Sequence, residues 1–441
     1  MKNLKQLFST LSLIIVISLG STAQNYTTYF TGNQTDVVTT PSGGICMMGG
    51  ASEHDEAMKW FLQRANGGDI LVLRTSGSDG YNNYMYSSLG VSVNSVESIV
   101  FNNASASTES YIHQRIQKAE AIWFAGGNQW NYISYWRNTA IDSLINDAIS
   151  NRHIVIGGTS AGMAILGGYY FSAENGSITS ATALSNPYHN HVKVDSTPFI
   201  SNNYLGDVIT DTHYDNPDRR GRHLVFLSRI LKDYGVAAKG IACDEYTAVC
   251  IDNNGIAMVY GQSPNYDDNA YFIQTNCELN SIIPENCSSG NPLNWNLGGK
   301  ALAVYAVKGT NSGTNTFDLN DWETGSGGIW KYWYVNNGNF VETAGVQIHC
   351  GLSLKNNLQE NSSINLFPNP ANNIIFLKNN NAADDIISIE IFNGVGQKVK
   401  SSSFSMKQES YDINKLKSGI YFIRIKTKSG KIYSKKLIIE K

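Results

Sequence analysis

The chain has 441 residues and a formal net charge of −3, long enough for a large core and more than one domain. The charge is unevenly spread: residues 365–441 hold 13 Lys/Arg and 6 Asp/Glu, net +7, whereas the remainder holds 20 and 30, net −10. Two different modules are expected, and the acidic one argues against a nucleic acid or an anionic membrane as its partner.

In chain order, Lys2 and Lys5 precede an apolar run, Leu11–Leu19, and Ser21-Thr22-Ala23 offers a small-residue cleavage site. This predicts a Sec signal peptide over 1–23, too short to span as a mature helix, and a mature chain that leaves the cytoplasm. No later run approaches the length of a transmembrane helix. Gln24–Thr40 is polar and reads as a strand-like lead-in or a loose arm. Gly44–Gly50 predicts a first buried strand ending in a glycine turn, and Glu53–Ala65 a helix with Met58, Phe61 and Leu62 on one face. Asp69–Arg74, Ser98–Asn102 and Ala121–Phe124 read as further strands. Helices are expected over Tyr111–Glu120, Trp130–Trp136 and Ala140–Ser150. Strands and helices alternating at this spacing predict a parallel, doubly wound sheet whose site lies beyond the carboxyl ends of its strands.

His153–Gly168 follows. Ile154-Val-Ile156 is a buried strand, Gly158-Thr-Ser160-Ala-Gly162 fits the nucleophile-elbow pattern G-x-S-x-G, and Met163–Leu166 can begin a helix. A serine at the apex of so tight a turn needs glycine two residues before and after it. Its base and the group that orients the base must come from elsewhere. Among eight histidines, His213 is the best placed, directly after the apolar run at Ile209 and flanked by Asp211 and Asp215. Either Asp244 or Glu245, at the end of a strand-like run, could hold the imidazole. His223–Leu231 reads as a helix, Gly240–Ile251 as a strand pair or strand-turn, and residues 252–350 as strands and loops that complete the main domain over 24–350. Residues 351–363 are a polar linker. From 364 to 441 the alternation of Ile387, Ile389 and Ile391, and of Tyr421, Ile423 and Ile425, predicts a small all-β sandwich with hairpin turns at Gly394-Val-Gly396 and Ser429-Gly430.

The six cysteines have no metal-ligand spacing. Cys277 and Cys287 flank a polar loop and could pair in an oxidising compartment. Cys46, Cys243 and Cys250 sit in apolar runs as buried thiols, and Cys350 has no evident partner.

Four motifs in order and spacing, Phe124-Ala-Gly-Gly-Asn-Gln129, Gly158-Thr-Ser160-Ala-Gly162, Asp211-Thr-His213 and Asp244-Glu245-Tyr-Thr247-Ala248, resemble the peptidase S51 family. The likeness is to its cyanophycinase branch rather than to dipeptidase E. The resemblance implies an α/β fold, a doubly wound, mostly parallel sheet with helices on both faces of the class I glutamine amidotransferase-like kind. It implies a Ser160–His213–Glu245 triad and a substrate pocket lined by Gln129 and Asp211. It also implies cleavage next to aspartate, in α-aspartyl dipeptides or β-Asp-Arg units. One departure stands out. The family pattern His-Phe-x-x-Arg-x-Arg-x-x-Arg, counted from His213, meets Tyr214, Pro217, Arg219 and Arg222, so two of three arginines remain. An arginine clamps a carboxylate bidentately, which proline cannot do. Arg219 and Arg222 are therefore expected to line the pocket and favour an acidic group beside the scissile bond. Leu366-Phe-Pro-Asn-Pro370, Gly394 and Leu416–Tyr421 resemble the type A sorting domain of the type IX secretion system, which implies passage through an outer membrane.

The expectation is a secreted or cell-surface serine peptidase that needs no metal or cofactor. Gly127 and Ala161 N–H groups would form its oxyanion hole. Its partners would be a peptide with an acidic side chain and the type IX secretion machinery, with a homodimer left open. The rivals are another secreted amidase or esterase with the same triad, and a non-catalytic surface-binding protein in which the three residues need not meet. A glutamine amidotransferase would carry cysteine at the elbow.

Overall fold

A computed structural model describes residues 24–196, 199–350, 364–379, 385–393, 397–403, 410–428 and 432–441. The expected signal peptide, the linker, and the hairpin turns at 394–396 and 429–430 lie outside these. The chain divides into two compact units, Met1–Ser353 and Leu354–Lys441.

The first unit holds two sheets. One has ten strands, in the order Tyr26–Gly32, Ser95–Phe101, Asp69–Arg74, Ala121–Phe124, Val155–Thr159, Ile45–Met48, Ala248–Ile251, Ile256–Tyr260, Asn315–Asp318 and Gly325–Ser326. The five strands from Ser95–Phe101 to Ile45–Met48 are mutually parallel, and the flanking strands are antiparallel. These parallel strands read as unbroken apolar runs because both faces are covered. Along Ala121–Phe124 the side chains alternate between two cores. Ile122 and Phe124 join a cluster containing Ile112, Tyr132, Trp136 and Ile145 of the helices Ser110–Lys118, Gln129–Trp136 and Ala140–Asn151. Ala121 and Trp123 face the opposite way, onto Met58, Phe61 and Leu62 of the helix Asp55–Arg64. The sheet is thus doubly wound, with helices on both faces.

The second sheet was not resolved by periodicity. It runs Asn339–Ala344, Gly328–Asn336, Leu302–Lys308, Asn269–Thr275, Lys239–Cys243 and Val208–Asp211, antiparallel except for the last pair. The run Gly240–Ile251, expected as a strand pair or strand-turn, is split: Lys239–Cys243 belongs to this sheet and Ala248–Ile251 to the ten-stranded one. Asp244 and Glu245 occupy the crossing between them.

The cysteine pairing differs from expectation. Cys277 is bonded to Cys350, 73 residues away, and Cys287 is a buried free thiol beside the Ser228 hydroxyl. Closeness along the chain was a poor guide, because the strands between 302 and 344 carry residue 350 back to Cys277. Cys46, Cys243 and Cys250 are buried thiols.

The second unit is all β. A three-stranded sheet, Ile364–Phe367, Ile374–Asn379 and Ser410–Asp412, and a four-stranded sheet enclose one apolar core that includes Ile364, Leu377, Ile391, Ile423 and Leu437.

Candidate active site

The elbow is built from its glycines. Ser160 has φ 51° and ψ −116°, a conformation that side chains disfavour and that persists only where the surroundings enforce it. The Ser160 N–H donates to Met48 O at 3.1 Å, and Ser160 O accepts from Ala164 N–H at 2.9 Å. A Cβ on Gly158 would lie 2.6 Å from the Gly162 carbonyl carbon, and one on Gly162 would lie 2.0 Å from Phe124 O. No side chain fits at either position. The helix expected from Met163 starts at Ala161 and ends at Ala164, a single turn. What it offers is therefore its first N–H groups, more than an extended dipole. Gly126 stands beside the nucleophile, where an added Cβ would meet Ser160 Cβ at 3.6 Å. Among the described residues the N–H groups of Gly127 and Ala161 donate to no other protein group, so both remain available to an oxyanion.

His213 follows the strand Val208–Asp211 and also has a left-handed backbone, φ 46°. Its N–H donates to Gly49 O at 2.8 Å. Its ring lies against Gly50, where a Cβ would fall 2.4 Å from both Cε1 and Nε2. Glu245 N–H donates to Asp215 Oδ1 at 2.9 Å, Tyr246 N–H to Gly50 O at 3.1 Å and Gly49 N–H to Thr247 O at 2.9 Å. The Gly49-Gly50 turn thus ties the elbow strand's neighbour to the histidine and to the acid. The turn is visible in the sequence; that its missing side chain makes room for an imidazole is not.

These supports bring three side chains into line. The Ser160 hydroxyl lies 2.8 Å from His213 Nε2, and His213 Nδ1 lies 2.6 Å from Glu245 Oε1. A carboxylate can only accept, so Nδ1 carries the proton and Nε2 is left free to take one from serine. His213 is 24% and Glu245 18% exposed, so the line is shielded yet open to a substrate. Asp244, the other candidate orienter, points elsewhere: its Oδ2 accepts from Asn269 N and Nδ2 at 3.1 and 3.0 Å.

The expected substrate-pocket residues divide. Gln129 gives its side-chain N–H to Phe171 O at 3.0 Å. Asp211 and Arg222 do not line a pocket: both are 3% exposed and paired with each other, Arg222 Nε donating to Asp211 Oδ2 at 2.8 Å and Nη2 to Oδ1. Burial alone would raise the Asp211 pKa, but the charge and hydrogen bonds of Arg222 hold it below the ordinary carboxylate value. Asp211 Oδ1 also accepts the Thr212 N–H, and Arg219 Nη1 donates to Thr212 O at 3.0 Å. The three residues brace the turn that carries His213. Arg219 is half-buried, and burial, reinforced by the Arg222 charge, lowers its pKa to about 10.

Two predictions arise here. Gly50→Ala is expected to lower kcat about 100-fold by displacing the imidazole, since misplacement of a catalytic group by an ångström costs that much. Unchanged turnover would show that the ring is not seated on Gly50. Burial raises the Asp244 carboxyl from 3.8 to about 7. The folded state then binds more protons than the unfolded one between these values, so stability falls as pH rises from about 4 to about 7. Asp244→Asn removes this contribution, and denaturant midpoints across pH 4–8 should show a less negative slope than wild type; an unaltered slope would contradict the assignment.

Residues 45–259 match the family described as Peptidase family S51, and residues 365–440 match the Secretion system C-terminal sorting domain. A cyanophycinase from Geminocystis herdmanii is 26% identical over 156 residues, 34% of this chain and 53% of that protein, so the match spans about half the length of this curated relative. Among solved structures, a peptidase from an acI-B1 actinobacterium is 14% identical, with a TM-score of 0.38, covering 51% of this chain and 89% of that one. A putative peptidase E from Listeria monocytogenes is 18% identical, with a TM-score of 0.32, covering 50% and 99%.

Proposed function

We propose, for a chain whose residues 45–259 match peptidase family S51, that it is an exported serine peptidase cleaving peptide or isopeptide bonds next to aspartate. The observation that carries this reading is the hydrogen-bonded line from Ser160 Oγ through His213 to Glu245 Oε1. Ser160 Oγ attacks the carbonyl while His213 Nε2 takes its proton. Glu245 stabilises the imidazolium and keeps the ring oriented. The Gly127 and Ala161 N–H groups receive the developing oxyanion. His213 then protonates the leaving amine, and water, deprotonated by the same nitrogen, releases the acyl group from Ser160. The aspartyl preference is supported by the likeness of the four motifs to the cyanophycinase branch of the family and by Arg219 near the His213 turn; Arg222, spent on Asp211, gives no support to it. Export is supported by the match of residues 365–440 to a sorting domain and by the signal-peptide pattern of residues 1–23.

The test is a panel of β-Asp-Arg, α-aspartyl dipeptides, their asparaginyl counterparts and simple esters. The reading expects kcat/KM for the aspartyl compounds to exceed that for the asparaginyl ones by at least about tenfold, the size of one charged contact. Equal rates would leave a hydrolase of other specificity, and ester hydrolysis alone would make it an esterase.

A further inference from the structure

We propose that Cys46 and Cys250 form a disulfide across the centre of the ten-stranded sheet, behind the catalytic line. Cys46 lies on the strand Ile45–Met48 and Cys250 on Ala248–Ile251, directly opposite each other in the antiparallel register. The structure holds them as unbonded thiols with their sulfurs 3.6 Å apart, both residues are fully buried, and both belong to the core on the Met58–Phe61 face. The third thiol nearby, Cys243, belongs to the other core and is no competitor.

The backbone favours the bridge. Gly49 N–H donates to Thr247 O, and the Met48 carbonyl turns the other way, to Ser160 N–H. Odd-numbered residues of Ile45–Met48 therefore bond toward Ala248–Ile251 and even-numbered ones away from it. Cys46 and Cys250 thus form a non-hydrogen-bonded pair, whose Cα atoms approach to about 4.5 Å, within the range that a disulfide spans. A side-chain rotation that closes the sulfurs needs no change of register.

The inference rests on the export reading, because such bonds persist in oxidising compartments. In bond formation the two thiols lose two protons and two electrons, and one disulfide of a thiol–disulfide oxidant is reduced to two thiols. Since neither sulfur is exposed in the folded protein, the exchange takes place before the two strands close. The bridge would fasten the strand ending in Gly49-Gly50, on which His213 rests, to the strand that follows Glu245.

The test delivers the full chain to a bacterial periplasm by an established Sec signal, so its outcome is independent of whether the native leader exports it; fractionation of the chain with its own leader tests that separately. The protein is alkylated in denaturant without reductant, digested, and its peptides weighed. The expected result is a Cys46 peptide linked to a Cys250 peptide, with Cys243 and Cys287 alkylated. Phosphine should leave the link intact in the folded protein and open it in guanidinium. Cys46 and Cys250 recovered as separate alkylated peptides, or either one linked to another cysteine, would overturn the proposal.

Discussion

Ser160→Ala is expected to lower kcat for aspartyl peptides by on the order of 10⁵–10⁶-fold, with KM changed little, because loss of the nucleophile disables the whole line at once. His213→Ala should cost about as much, and the double substitution little more than either alone, since the residues act as a unit. The folded structure should tolerate Ser160→Ala well. Alanine removes one half-buried hydroxyl, and losing that partner is inexpensive for an imidazole that retains some exposure. Steady-state rates with each variant, normalised to folded protein, check this. A Ser160→Ala enzyme retaining more than about one per cent of wild-type kcat would mean that another group performs the attack.

Arg222→Leu is expected to destabilise the first unit by about 3–5 kcal/mol. The substitution strands the Asp211 carboxylate in a site that is 3% exposed. It also removes the brace behind Thr212 and His213, so kcat should fall in the protein that remains folded. Had Arg222 been a substrate clamp, the pattern would be the reverse: KM raised, kcat and stability nearly intact. Denaturant midpoints together with kcat and KM separate the two. The pair-preserving variant Arg222→Lys should recover part of the stability, but less than arginine gives, since lysine cannot make both bonds to Asp211.

This contrast shows where the sequence was informative. The glycine spacing around Ser160 follows from a local steric rule, and the clashes at Gly158 and Gly162 are what that rule anticipates. The strands from 45 to 159 and the longer helices between them announce themselves by apolar runs and helical spacing, which are local properties too; the short helical turns at Gly80–Asn83, Tyr84–Ser88 and Ala104–Thr108 do not. His213 and Glu245 could be named only through their neighbours and the family pattern. The distance between them depends on how two sheets meet, and no periodicity encodes that. For the same reason Gly240–Ile251 reads as a strand pair or strand-turn although its halves belong to different sheets. Asp211 and Arg222 are placed at the substrate by the family resemblance and its arginine pattern; that they neutralise each other depends on burial, a property of the assembled core. The Cys277–Cys350 bond depends likewise on a chain path set by the second sheet.

The central claim is that Ser160 is a nucleophile activated by His213 and Glu245, and covalent trapping addresses it most directly. The full chain would be treated with a diphenyl phosphonate analogue of an aspartyl residue, and the intact protein and its digest weighed. The account predicts one adduct per chain, on the peptide carrying Ser160, its formation slowed in Glu245→Gln and abolished in His213→Ala. An adduct on any other residue, or turnover of aspartyl peptides by a chain that the phosphonate leaves unmodified, would contradict it.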